Sequence, residues 1–154
     1  MFGEKEIVGQ TILTLKKDKI ILPDFTYAEP GEEIHIMLDP YQKKLMLMQR
    51  EELLRMLYKY ADKIEKARKE GRIGYTEYHN CQRYIWGILP LRERILNKKL
   101  EFQIFSQKKD EEPNMRQLRR LNLKNEIFAV GTGKQLHLYP SEESYKEELK
   151  LLKK

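Results

Sequence analysis

Two stretches decide the fold: Glu33-Ile34-His35-Ile36-Met37-Leu38 with Leu45-Met46-Leu47-Met48, and Glu126-Ile127-Phe128-Ala129-Val130 with Leu136-His137-Leu138-Tyr139. Each is a pair of short runs rich in β-branched, aromatic and long apolar residues, separated by turn residues. Asp39-Pro40-Tyr41-Gln42-Lys43-Lys44 joins the first pair and Gly131-Thr132-Gly133-Lys134-Gln135 the second. Each pair is followed by an acidic helix start, Gln49-Arg50-Glu51-Glu52 in one case and Pro140-Ser141-Glu142-Glu143 in the other. Ser141 is suited to cap its helix, and carboxylates in a first turn are favoured by the helix dipole. The same order of features occurring twice reads as an internal repeat.

Working outward, Leu13 and Leu15 precede, and Ile20, Ile21 and Leu22 follow, the charged tract Lys16-Lys17-Asp18-Lys19. Two β-rich runs around a charged turn predict a hairpin, which Pro23 ends. Lys108-Lys109-Asp110 echoes Lys16-Lys17-Asp18 in the second half. From Gln49 the period changes: Leu53, Leu54, Leu57, Ala61, Ile64 and Ala67 fall at helical spacing up to Gly71. A second helix is expected from near Thr76, carrying Tyr78, Cys81, Ile85 and Ile88 on one face and limited by Pro90. Alternating Leu100, Phe102 and Ile104 return the chain to strand. The expectation is an α+β fold in one domain, 1–154. Residues 11–58 form a first β unit, 59–99 are connecting helices, and 100–154 form a second β unit.

Composition bounds the function. The chain has 154 residues and 18.6 kDa, with 40% apolar and 35% charged residues and a mean hydropathy of -0.72. That is enough for one core and too little for a multidomain enzyme. Thirty Lys and Arg against 24 Asp and Glu give a net charge of +6, compatible with a polyanionic partner. Cys81 is the sole cysteine, so an intrachain disulfide and a multi-cysteine metal site are both excluded. The start, MFGEKEIVGQ, lacks the pattern of a secretory signal, and the longest apolar stretches, 45–48 and 84–91, are far shorter than the roughly 20 residues of a membrane span. A soluble, cytoplasmic protein is expected, with no membrane association.

The motifs give no catalytic constellation. Gly131-Thr132-Gly133-Lys134 has a phosphate-loop flavour, but Phe128 stands where the first glycine belongs and Gln135 where Ser or Thr would hold magnesium. A hairpin turn is the better reading. His35, His79 and His137 are dispersed, so no metal ligand set and no cofactor is expected. Cys81 reads as inert core, and the Glu pairs at 51–52, 111–112, 142–143 and 147–148 as helix starts and solvated surface. The chain is therefore not expected to be an enzyme. What remains is positive charge on turns: Lys16, Lys17 and Lys19 in one, Lys108 and Lys109 in another, with Arg116, Arg119 and Arg120 extending it. Such side chains can track a phosphate backbone, although exposed turns also collect lysine for solvation alone.

Taken together, the landmarks resemble the MraZ family of bacterial transcriptional regulators. Gln117 through Gly131, Leu136-His137-Leu138-Tyr139 and the helix at Ser141 are similar to that family's second unit. Leu15 to Pro23 sits where its first hairpin lies, and Gln82-Arg83-Tyr84-Ile85-Trp86-Gly87 resembles its linking helix. The family's D-x-x-x-R hairpin pattern falls here on Leu15 and Lys19, and on Phe105 and Lys109. Lysine keeps the positive charge but lacks arginine's two-pronged fit to guanine. The resemblance implies two AbrB-like swapped-hairpin units forming a small barrel, related by a pseudo-two-fold axis. It also implies a ring-like homo-oligomer, double-stranded DNA as partner, nucleoid association, and a target in the promoter region of the division and cell-wall gene cluster. A structural oligomer without DNA specificity, or an RNA-binding protein using the same loops, are the competing readings.

Overall fold

A computed structural model describes residues 7–24, 26, 28–38, 44–87, 91–105 and 121–152. Apart from the strand Leu91–Arg94, the elements follow the apolar periodicity closely. β1 (Gly9–Thr14) and β2 (Lys19–Ile21) flank the lysine-rich turn, and β3 (Glu33–Leu38) and β4 (Leu45–Met48) form the first central hairpin. α1 (Arg50–Lys69) and α2 (Tyr75–Gly87) come next, with Gly71 at φ 74 just after α1. The second half consists of β5 (Leu91–Arg94), β6 (Glu101–Gln103), β7 (Glu126–Gly131), β8 (Gln135–Tyr139) and α3 (Glu142–Leu152).

Six strands make one antiparallel sheet in the order β1-β7-β8-β4-β3-β5, and β2 pairs with β6 in a separate two-stranded ribbon. The pairing crosses between halves. β1 lies along the whole of β7, from Gly9 opposite Gly131 to Thr14 opposite Glu126, and β5 lies along β3 from the second half. At the centre β4 pairs with β8, Met46 facing His137, and in the ribbon Ile20 faces Phe102. The β3–β4–α1 order of the first half recurs as β7–β8–α3.

Period-two alternation gives this sheet two apolar faces. Ile34, Ile36, Leu45, Leu47, Ile127, Ala129, Leu136 and Leu138 join Leu13, Ile20 and Phe102 in the main core. Their neighbours along the strands face outward into two smaller clusters: Met37, Met46 and Met48 beneath Leu53 of α1, and Phe128, Val130 and Tyr139 beneath Tyr145 of α3. That double covering is why β4 and β8 are buried at every residue. Each fully buried Val, Leu, Ile, Phe or Met side chain contributes about 1.5–3 kcal/mol by leaving water.

Three expectations are corrected. No closed barrel is found among the described residues. β1 and β5 are the edges of the large sheet, and their backbone links to the ribbon are local. The Lys16–Lys19 bridge joins β1 to β2, and the Leu96 N–H donates to the Glu101 carbonyl at 2.8 Å beside β5. The ladder breaks at left-handed residues, Lys17 (φ 53), Asp18 (φ 64) and Leu100 (φ 60), which reverse the chain within a few residues. Second, 59–99 is not purely helical linker, because Leu91–Arg94 is a strand. Its residues, Leu-Arg-Glu-Arg, show no apolar alternation; backbone pairing to β3 makes it a strand. Third, the boundary at 58 falls inside α1, which runs unbroken to Lys69.

Candidate nucleic-acid interface

The β1–β2 turn is tight because two residues reverse the chain. The Lys16 N–H donates to the Lys19 carbonyl at 2.9 Å and the Lys19 N–H returns a bond to Lys16 at 3.0 Å. Positive φ at both Lys17 and Asp18 belongs to a primed turn, whose twist matches that of the flanking strands. Such a turn projects its side chains away from the ladder. Lys16 and Lys17 are exposed, and Lys19, already in β2, is half-buried. The Ile104 N–H donates to the Asp18 carbonyl at 2.8 Å, tying the turn to the end of β6.

Lys108, Lys109, Arg116, Arg119 and Arg120 lie outside the described residues, so Lys16, Lys17 and Lys19 are the sequence-derived cations whose position is defined. A different pair of lysines occupies the topological counterpart of their turn. Between β5 and β6, the Leu100 N–H bonds the Asn97 carbonyl at 3.0 Å and the Lys99 N–H bonds Asn97 Oδ1 at 2.9 Å, leaving Lys98 and Lys99 exposed. Sequence reasoning missed them. Ile95-Leu96-Asn97-Lys98-Lys99-Leu100-Glu101-Phe102 matches Leu13-Thr14-Leu15-Lys16-Lys17-Asp18-Lys19-Ile20 in its apolar–turn–apolar pattern, which is the signal that could have found them. In the ribbon Lys19 faces Gln103 and Ile21 faces Glu101, so the two turns emerge at opposite ends of a three-residue ladder about 7 Å long.

Behind this surface, the outer face of β8 carries a buried polar row. Gln135 Nε2 donates to Glu52 at 3.0 Å, and His137 Nε2 lies 2.8 Å from Gln135 Oε1. Lys44 Nζ donates to Tyr139 at 3.2 Å and to Glu148 at 2.6 Å, and the Tyr139 hydroxyl also bonds Glu148. Burial, reinforced by the positive charge of Lys44, holds the His137 imidazole well below its ordinary value and keeps it neutral. The hydrogen bond from Arg55 holds the Glu52 carboxyl below the usual carboxylate value against the cost of its burial. These contacts join strands to helices. Among the described residues no group of three His, Cys, Asp or Glu is placed to hold a metal ion. Cys81, expected in the core, is half-buried on α2. The Gly131–Gln135 segment is a hairpin turn, with the Thr132 N–H bonded to the Gln135 carbonyl at 2.9 Å and Gly133 at φ 78.

No protein-family model matches the chain, and no curated protein matches it either. Among the described residues no helix is long and apolar enough to cross a membrane.

Proposed function

We propose that the chain is an oligomeric double-stranded DNA-binding regulator whose basic hairpin turns contact the phosphate backbone. The observation that carries the reading is the reciprocal pairing of the two halves, β1 with β7 and β5 with β3, around a ribbon with a lysine-bearing turn at each end. In this reading β1–β2 and β5–β6 are the swapped hairpins of two AbrB-like units, the arrangement implied by the resemblance to the MraZ family. Lysine ammoniums on tight turns act as point charges toward phosphates, so affinity is electrostatic and base readout is weak at each turn. Several such surfaces in one homo-oligomer would raise effective affinity without new contacts. The apolar Val8, just before the edge strand β1, and Ile12 within it are exposed and favour contact between copies. The target implied by the resemblance is the promoter region of the division and cell-wall gene cluster, with the protein associated with the nucleoid.

The test is a mobility-shift assay on duplex DNA from the protein's own upstream region, against scrambled duplex and a matched RNA, across salt concentrations. The parent protein should retain the upstream duplex preferentially. Replacing Lys16, Lys17, Lys98 and Lys99 with Ala should weaken binding and flatten the salt dependence by about one unit per lost phosphate contact. Unchanged affinity and salt slope would remove the turns from the interface. Equal retention of all duplexes would favour the structural oligomer, and preference for RNA the RNA-binding reading.

A further inference from the structure

A pocket of about 570 Å³ opens between the segment after β2, the start of α1 and the β7–β8 turn. That volume is within the range of about 300–1,000 Å³ typical of small-molecule sites. Its floor is apolar, with Leu22, Ile34, Leu47 and Leu136 each at most 4% exposed. Two polar groups interrupt it. Thr26 lines the pocket, and its buried hydroxyl oxygen has no hydrogen-bond partner among the described residues. A buried hydroxyl left unpaired costs about 1–3 kcal/mol, a cost that a ligand group bonded to it would remove.

The second group is the Glu52 carboxylate, whose residue is 5% exposed. Oε1 accepts from Arg55 and from Gln135, and Oε2 accepts from Arg55 Nε at 2.9 Å. Three bonds leave acceptor capacity on Oε2, since a carboxylate offers about four acceptor positions. Around the mouth Glu51 and Glu52 are balanced by Arg55 and Lys134, so the site attracts neither ion strongly.

We propose that this pocket binds a small neutral molecule with an aromatic or compact apolar body and one N–H or O–H donor. The body displaces water from the leucine and isoleucine floor, and the donor engages Thr26 Oγ1 or Glu52 Oε2. The site stands independently of nucleic-acid binding, although Leu22 at its floor directly follows β2 and so lies next to the ribbon.

Indole is a suitable probe, and 1-methylindole is a matched ligand of nearly the same shape without the N–H. Each is titrated into the full chain, free of DNA, and followed by amide chemical shifts. Indole should saturate with a Kd of about 1 mM or tighter, moving the amides of Leu22, Ala28 and Gln135. The 1-methyl analogue should bind at least about fivefold more weakly, the loss expected for one hydrogen bond of about 1 kcal/mol. Ala28→Trp, which fills the half-buried mouth, should weaken indole at least tenfold. Thr26→Val, an isosteric change at an unpaired hydroxyl, should keep the protein folded and weaken indole severalfold if the hydroxyl is the engaged group. If it leaves indole unchanged, Glu52→Gln should weaken it instead. Shifts that rise linearly without saturation, equal binding of both probes, or indole binding indifferent to all three substitutions would overturn the proposal.

Discussion

The two halves present the same order of elements but cover their central hairpins with different chemistry. On the first, Met37, Met46 and Met48 meet Leu53, an apolar patch of flexible side chains. On the second, Val130, Phe128 and Tyr139 meet Tyr145, with Gln135, His137, Lys44 and Glu148 bonded among them. The two surfaces meet at two ladder positions, where Met46 faces His137 and Met48 faces Gln135. The inner face shows no such divergence: apolar residues from both halves fill one core. A shared core tolerates only apolar chemistry, whereas each outer face is closed by its own helix and can differ. The first face adds a single bond, from Gln135 to Glu52 of α1, to its methionine packing, whereas the second combines its packing with several directional bonds.

The largest effect should come where the halves share the core. Phe102 and Ile20 face each other at the middle of the ribbon, 0% and 1% exposed. Phe102→Ala should cost about 3–5 kcal/mol and Ile20→Ala about 2–5 kcal/mol, measured by urea unfolding. If either substitution cost under about 1 kcal/mol, the ribbon would not be part of the cooperative core.

The outer faces should respond less, and unequally. Lys44→Met leaves Glu148 and Tyr139 without their cation and should cost about 1–3 kcal/mol, less than a fully buried pair because the Glu148 side chain is 30% exposed. Met46→Leu in the first half should cost under about 1.5 kcal/mol, since it nearly conserves volume. Adding Glu148→Met to Lys44→Met should recover part of the loss. Equal costs for Lys44→Met and Met46→Leu would erase the distinction between the two faces.

That distinction shows which parts of the structure were legible in the chain. The central strands and all three helices were visible, because alternation in Glu33–Leu38 and the heptad-like spacing in Leu53–Ala67 reflect faces that must be buried. β5 was not, because Leu-Arg-Glu-Arg is recruited by the backbone edge of β3 and has no apolar pattern of its own. The cross-pairing of halves was also invisible to residue periodicity, which specifies a face but not a partner strand. For the candidate interface, the Lys16–Lys19 turn was legible from the apolar runs around it. The echo at Lys108-Lys109 drew attention by residue identity, while the topological counterpart, Asn97-Lys98-Lys99, shares the pattern but not the letters. The pocket beside Glu52 depends on segments remote in sequence and left no local trace.

The polar half should also be the acid-sensitive one. His137 is held neutral by burial, well below its ordinary value of 6.5. Below about pH 6.5 the unfolded chain takes up a proton that the folded chain refuses, so stability is complete above that pH and declines beneath it. Within the window the slope from this one group approaches about 1.4 kcal/mol per pH unit. His137→Met, which copies the residue facing it across the ladder, should flatten that part of the stability curve in urea titrations between pH 7 and pH 5. A parent curve that is already flat over this interval would mean that His137 takes up its proton in place.

The smallest effect concerns the two turns at the ends of the ribbon, which also differ in how they reverse the chain. Lys17 and Asp18 both hold positive φ, a conformation costing most side chains roughly 1 kcal/mol and tolerated best by Asn and Gly. Lys17→Asn combined with Asp18→Gly supplies the preferred pair for such a turn, and is expected to stabilise the fold by about 0.5–1 kcal/mol. The same logic fails at the other end. Leu100 also has positive φ, at 60°, but packs against the main core, so Leu100→Gly relieves strain and loses burial together. It should be destabilising on balance. Thermal unfolding of the two variants separates the cases, with a rise in Tm for the first and a fall for the second. Because the first variant also removes one exposed ammonium, its salt dependence on duplex DNA should flatten by about one unit even as the fold becomes firmer. A gain in stability with an unchanged salt slope would show that Lys17 shapes the turn without touching the phosphates.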